Sequence, residues 1–296
     1  MNISMNRIKG ILYAAVSSST FGLAPFFSIT LLLAGFSAFE VLSYRWGVAS
    51  IVLIVFGWLS GCNFRLAGKD WGVVFLLSLL RAVTSFSLII AYQNIASGVA
   101  STIHFMYPLA VALVMMFFFR EKKSLLVILA VLMSLLGAAL LSLGELEAKS
   151  GNTMVGLVAA CVSVFSYAGY IVGVRTTRVV QINSTALTCY VMGLGTIFYL
   201  IGAYCTSGLQ LVSDGYTWLI ILGLALPATA ISNITLVQAI KYAGPTLTSI
   251  LGAMEPLTAV VIGVFVFKEL FTVNSAVGII LILLAVSIVV FRRQKS

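Results

Sequence analysis

The sequence predicts an all-α polytopic membrane protein: ten transmembrane helices arranged as two inverted five-helix repeats, spans one to five in residues 1–150 and spans six to ten in residues 151–296. Three observations carry this expectation: the composition, the placement of positive charge, and an internal repeat. Of the 296 residues, 61% are hydrophobic and only 8% are charged, against about 25% charged in soluble domains. The mean hydropathy is +1.15. A water-solvated exterior cannot carry that much apolar surface, whereas a lipid-solvated one can.

A span needs about 20 mostly apolar residues. Ten runs qualify, over 10–34, 38–60, 71–96, 98–119, 125–144, 153–174, 185–206, 216–241, 244–267 and 273–291. They are apolar all round, without the period-two alternation of a transmembrane barrel strand. Arg7 and Lys9 precede the first run as in a signal peptide, but the run is longer than a signal h-region, so it reads as a retained helix.

The net charge of +9 does not point to nucleic acid, because the basic residues sit in short gaps between apolar runs and form no patch. With the N terminus in the cytoplasm, the inner side receives Arg7, Lys9, Arg65, Lys69, Arg120, Lys122, Lys123, Arg175, Arg178, Lys241, Arg292, Arg293 and Lys295. The outer side receives Lys149 and Lys268, and Arg45 and Arg81 fall inside spans. That bias places both termini in the cytoplasm and the chain in a cell inner (plasma) membrane.

A shift of 148 residues superimposes the halves. Ala91 falls on Ala239, Ser101 on Ser249, Met106 on Met254, Pro108 on Pro256, Phe119 on Phe267 and Glu121 on Glu269. The copies read YPLAVALVMMFFFRE and EPLTAVVIGVFVFKE. Five spans per half is an odd number, so the second copy must enter the membrane from the opposite face. Two such units can exchange conformations around one midplane site.

Four stretches carry a family resemblance: SSSTFG at 17–22 with VFSYAGYIVGVR at 164–175, the arginine of YRWGVAS at 44–50, MEPLTAVVIGVFVFKE at 254–269, and its weaker copy MYPLAVALVMMFFFRE at 106–121. In the inverted ten-span frame the pattern resembles the EamA-type branch of the drug/metabolite transporter superfamily. The resemblance covers nearly the whole chain. It implies a transporter with a central cavity between two five-helix bundles, usually an exporter of amino acids or other small metabolites. The first half departs from the pattern, because Tyr107 stands where the second half has Glu255.

Ionisable groups at bilayer depth are costly and by default functional. Glu255 lies near the middle of span nine, before Pro256; a structural carboxylate and a proton or substrate-amine site are both open readings. Pro108 and Pro256 are expected helix kinks. Arg81, near mid-depth in span three, leans towards the cavity. Arg45, nearer the outer face, leans towards a structural or snorkelling role. His104 shares a helix face with Tyr107 and is either a satisfied buried group or a cavity donor. Thr84, Tyr92, Gln93, Tyr167, Asn233 and Gln238 are further lining candidates. The four cysteines form no CxxC pair, and no metal, cofactor or nucleic acid is expected.

The leading function is therefore secondary transport by alternating access of a small amphoteric metabolite, most plausibly amino-acid export, with the lipid bilayer as surroundings and H+ as a coupling ion. A broad exporter of toxic compounds is the alternative. An intramembrane enzyme is a poor third, since one His and no Asp within a span supply no convergent catalytic set.

Overall fold

The computed structural model describes residues 2–95, 97–121, 125–142, 151–206, 208–255, 257–258 and 273–292. Among them every regular element is helical. The helices are α1 (Asn2–Phe21), α2 (Ala24–Leu33), α3 (Ala38–Leu59), α4 (Trp71–Asn94), α5 (Ser97–His104), α6 (Tyr107–Phe117), α7 (Leu125–Ser142), α8 (Thr153–Thr176), α9 (Ser184–Cys205), α10 (Gly215–Ala225), α11 (Ser232–Ala243), α12 (Pro245–Leu251) and α13 (Val273–Arg292).

Among the described residues, seven helical segments are long and apolar enough to cross a membrane: Met5–Leu33, Ala38–Leu59, Gly68–Asn94, Val99–Phe117, Thr153–Thr176, Ser184–Cys205 and Gly215–Ala243. Leu125–Gly137 and Ala276–Ala285 are shorter apolar helices. Large apolar side chains point outward along them, with Leu125 85% and Phe165 72% exposed. Such surface is unfavourable in water and costs nothing against acyl chains.

Ordinary capping sets the helix ends. Ser37 and Glu40 form a capping box at α3, with the Glu40 N–H donating to Ser37 Oγ over 3.3 Å and the Ser37 N–H donating to Glu40 Oε2 over 2.8 Å. The other Glu40 oxygen accepts the Gln210 N–H at 2.6 Å, tying the α9–α10 connection to α3. Asn152, Asn183 and Asp214 cap α8, α9 and α10 through their side-chain oxygens. Gly244, at φ 85°, supplies the left-handed residue that turns α11 into α12.

The interior differs from ten straight rods. The first span begins earlier than residue 10 and is interrupted at Gly22–Leu23, just ahead of Pro25. The fourth is broken at Phe105–Met106, immediately before Tyr107 and the kink expected at Pro108. A break at Gly252–Ala253 precedes Glu255; Pro256 itself lies outside the described residues. The eighth span contains a π-helical turn, Leu226–Ile231, with Pro227 near its start. Each proline removes a backbone donor and crowds the preceding turn, and π turns recur at functional sites.

Pairing between the halves is reciprocal. The main partnerships are α4 with α8, α1 with α11, α3 with α9 and α7 with α13, and α6 meets α12. Small residues permit the closest approaches. The Trp46 indole from α3 packs directly against Gly195 on α9, where an added Cβ has no room, and lies at 84° to the Tyr199 ring, centroids 5.1 Å apart. Gly195→Ala is expected to destabilise the protein by about 1–3 kcal/mol, the usual range for overpacking a rigid contact. A melting series in detergent checks this, and Gly193→Ala, in open space, serves as its control.

Candidate functional site

Side chains beside two of these interruptions, Phe21 at the end of α1 and Asn233 just after the π turn, converge with Tyr167 and Tyr170 of α8 on Arg81. This arginine is 1% exposed. Its Nε donates to Asn233 Oδ1 at 3.1 Å, and Asn233 is held in turn by its Nδ2 donating to the Thr229 carbonyl at 2.7 Å. Three rings surround the guanidinium, with centroids at 4.9 Å for Tyr167, 5.2 Å for Phe21 and 5.9 Å for Tyr170. Cation–π attraction of this kind replaces part of the lost hydration. Arg81 Nη1, however, is buried without a hydrogen-bond partner.

The aromatic wall continues towards α5 and α6. Tyr167 packs on Tyr107 at 4.6 Å and on the His104 ring at 5.3 Å, nearly parallel to it. His104 is 4% exposed. Ser163 Oγ donates its only proton to the Ala160 carbonyl at 2.6 Å, so the 2.8 Å contact with His104 Nδ1 must have the ring N–H as donor. His104 Nε2 is then left as a buried atom with no partner. Tyr107 hydrogen-bonds the Glu255 carboxylate, and Arg81 lies within electrostatic reach of both. The two residues at matching positions of the internal repeat thus bond to each other.

Arg45 belongs to an adjacent layer. It is 4% exposed and does not snorkel. Its Nε donates to Thr229 Oγ1 at 2.7 Å and its Nη2 to the Ala228 carbonyl at 3.3 Å. Both acceptors lie in the π turn, and Thr229 Oγ1 in turn donates to the Leu224 carbonyl, five residues back, at 2.7 Å. One irregular turn in the eighth span therefore orients both buried guanidiniums.

The sequence of this chain matches the profile of the EamA-like transporter family over residues 8–143 and again over 154–291. The chain belongs to that family. It is accordingly a multi-pass membrane transporter of the drug/metabolite type, and EamA proteins are transporters, not enzymes. A crystal structure of a protein 17% identical superposes with a TM-score of 0.78 over 96% of each chain, which establishes the common fold. No curated protein sequence matches.

Among the polar residues expected at the site, Arg81, His104, Tyr107, Tyr167, Asn233 and Glu255 come together. Arg45 and Tyr92 line the neighbouring cavity. Thr84 instead joins helices, donating to the Leu80 carbonyl at 2.8 Å and meeting Ser166 Oγ at 3.0 Å. Gln238 lies five residues beyond Asn233 on α11, about 140° around the helix from it.

Phe21, Ser163, Tyr170 and Thr229 enter the site without having been singled out. Phe21 is the fifth residue of the SSSTFG motif, and Tyr170 follows Tyr167 by three residues, on the same helical face. Those spacings were readable; the π turn that recruits Thr229 was not.

Proposed function

We propose that this protein is a secondary transporter that exports a small amphoteric metabolite, an amino acid or a close relative, by alternating access. The observation that carries the reading is the unpartnered Arg81 Nη1 in a fully buried site. A buried guanidinium with an open donor calls for an anionic oxygen, and a carboxylate supplies it. His104 Nε2 offers an acceptor to a ligand N–H, and Glu255, bonded to Tyr107, offers a carboxylate able to exchange a coupling proton.

Ten spans in two inverted repeats, 1–150 and 151–296, form the frame of the proposal. Its support is twofold. The helix starts at Ser97 and Pro245 are 148 residues apart, the shift of the sequence repeat. The pairing of α4 with α8 is also mirrored by that of α11 with α1. Both termini are cytoplasmic in an inner membrane, as the distribution of basic residues requires. Reporter fusions placing the two ends on opposite faces contradict this arrangement.

Radiolabelled amino-acid flux into proteoliposomes tests the function. Flux is expected to fall in Glu255→Gln, Arg81→Leu and His104→Ala, and unchanged flux in all three removes the site. The rings of Phe21, Tyr107, Tyr167 and Tyr170 favour one competitor, a broad exporter of flat lipophilic compounds. Counterflow against a panel separates the two: competition by amino acids alone supports the first, and competition by lipophilic cations the second.

A further inference from the structure

We propose that Arg45 forms a second anion-binding station on the transport path and that Phe21 is the gate between it and the Arg81 site. The proposal rests on the reading of Arg81 as the central binding group.

A small cavity of about 20 Å³ lies beside Arg45, lined by Phe21, Ser28, Ser85, Leu88 and Tyr92 among others. All lie in the half of their spans away from the chain's N-terminal end. The space suffices for about one water; its walls are largely apolar, and Arg45, Ser28, Ser85 and Tyr92 supply its polar groups. Phe21 is the wall it shares with the central site. The ring centroid is 5.5 Å from the Arg45 guanidinium carbon and 5.2 Å from that of Arg81. Two buried cations therefore both lie over the ring of a single aromatic residue, itself 7% exposed.

The location of Phe21 suits a moving part. It is the last residue of α1, and the helix is interrupted directly after it. That interruption sits on the ninth span: a Cβ on Gly22 would lie 2.7 Å from the Glu255 carbonyl oxygen and 2.8 Å from Thr258 Cβ. A shift of the Glu255 segment towards α1 therefore presses on Gly22, next to Phe21. An anion leaving Arg81 as the ring swings aside meets a second guanidinium rather than hydrocarbon. Two weaker sites in series also release cargo more readily than one strong site.

Cysteine labelling tests the proposal without transported cargo. In a cysteine-free background, Leu88→Cys places a thiol in the Arg45 vestibule and Tyr170→Cys places one behind Phe21. Anionic sulfonatoethyl and cationic trimethylammonioethyl methanethiosulfonate are applied separately to right-side-out and inside-out vesicles. Leu88→Cys is expected to prefer the anionic reagent, with the preference falling at least tenfold in Arg45→Gln. From the face that labels Leu88→Cys, Tyr170→Cys should react slowly, and at least tenfold faster in Phe21→Ala. Phe21→Trp should keep it slow and Phe21→Leu should be intermediate, which separates gating from misfolding.

Labelling of Tyr170→Cys that ignores the side chain at 21 overturns the gate. A reagent preference that ignores Arg45 overturns the station. Failure of the transport reading has a different signature, namely flux that does not depend on Arg81.

Discussion

Arg81→Leu is expected to abolish transport while leaving the fold nearly as stable as before. The guanidinium carries the positive charge at the centre of the aromatic cluster and one donor that no protein group satisfies. A charge-assisted hydrogen bond to a cargo carboxylate made in that desolvated setting is among the strongest the site can offer. Its loss should reduce flux at least about 100-fold, roughly 2.7 kcal/mol. Arg81→Lys should recover little. An ammonium on a flexible stem cannot donate to Asn233 and also lie flat against the three rings.

The stability side of the same experiment is equally specific. Burying an ion incurs a desolvation cost, and replacement of buried charges by apolar groups is often neutral or stabilising. The single change leaves Asn233 Oδ1 without its donor, a cost of about 1–3 kcal/mol. The double variant Arg81→Leu/Asn233→Leu should therefore melt at or above the parent. Undiminished flux in Arg81→Leu removes this residue from the mechanism. A collapse of the double variant instead makes Arg81 a structural keystone.

The legible and illegible parts of the molecule divide along a physical line. The all-helical membrane class, the two EamA repeats and the burial of Arg81, His104 and Tyr107 follow from hydrophobic length and from matched positions such as Pro108 and Pro256. Hydrocarbon imposes those patterns on every spanning helix. Which way a side chain turns depends on where a helix breaks. Tyr107 departs in residue type from its match in the second repeat, yet its hydroxyl meets Glu255, because both directly follow interruptions and α6 packs on α12. Arg45 seemed near enough to the surface to snorkel. The π turn at Leu226–Ile231 offered nearer acceptors within the bundle. Pro227 was visible in the sequence, but its consequence for hydrogen bonding requires the third dimension. Thr84, one turn from Arg81, found Ser166 on a neighbouring helix instead, the ordinary use of hydroxyls in membrane packing.

Glu255→Gln should separate driving force from translocation. Glutamine keeps the length, the planarity and an oxygen able to accept from Tyr107, but it cannot exchange a proton at any ordinary pH. If Glu255 carries the coupling proton, the variant should lose accumulation driven by a pH gradient and stop at equal concentrations on the two sides. Its counterflow, which needs cargo exchange but no net proton movement, should stay within about threefold of the parent, less than 1 kcal/mol. The pH dependence of uptake should flatten in the same variant. Glu255→Asp restores a titratable group and should recover part of the gradient-driven uptake. Tyr107→Phe provides the complementary control. It removes one donor to the carboxylate, about 1.5–3 kcal/mol for a hydrogen bond to a charged group, and should slow flux about tenfold or more while coupling persists. Gradient-driven accumulation at the parental level in Glu255→Gln assigns this carboxylate to holding the break in span nine, and the proton must then travel by another group.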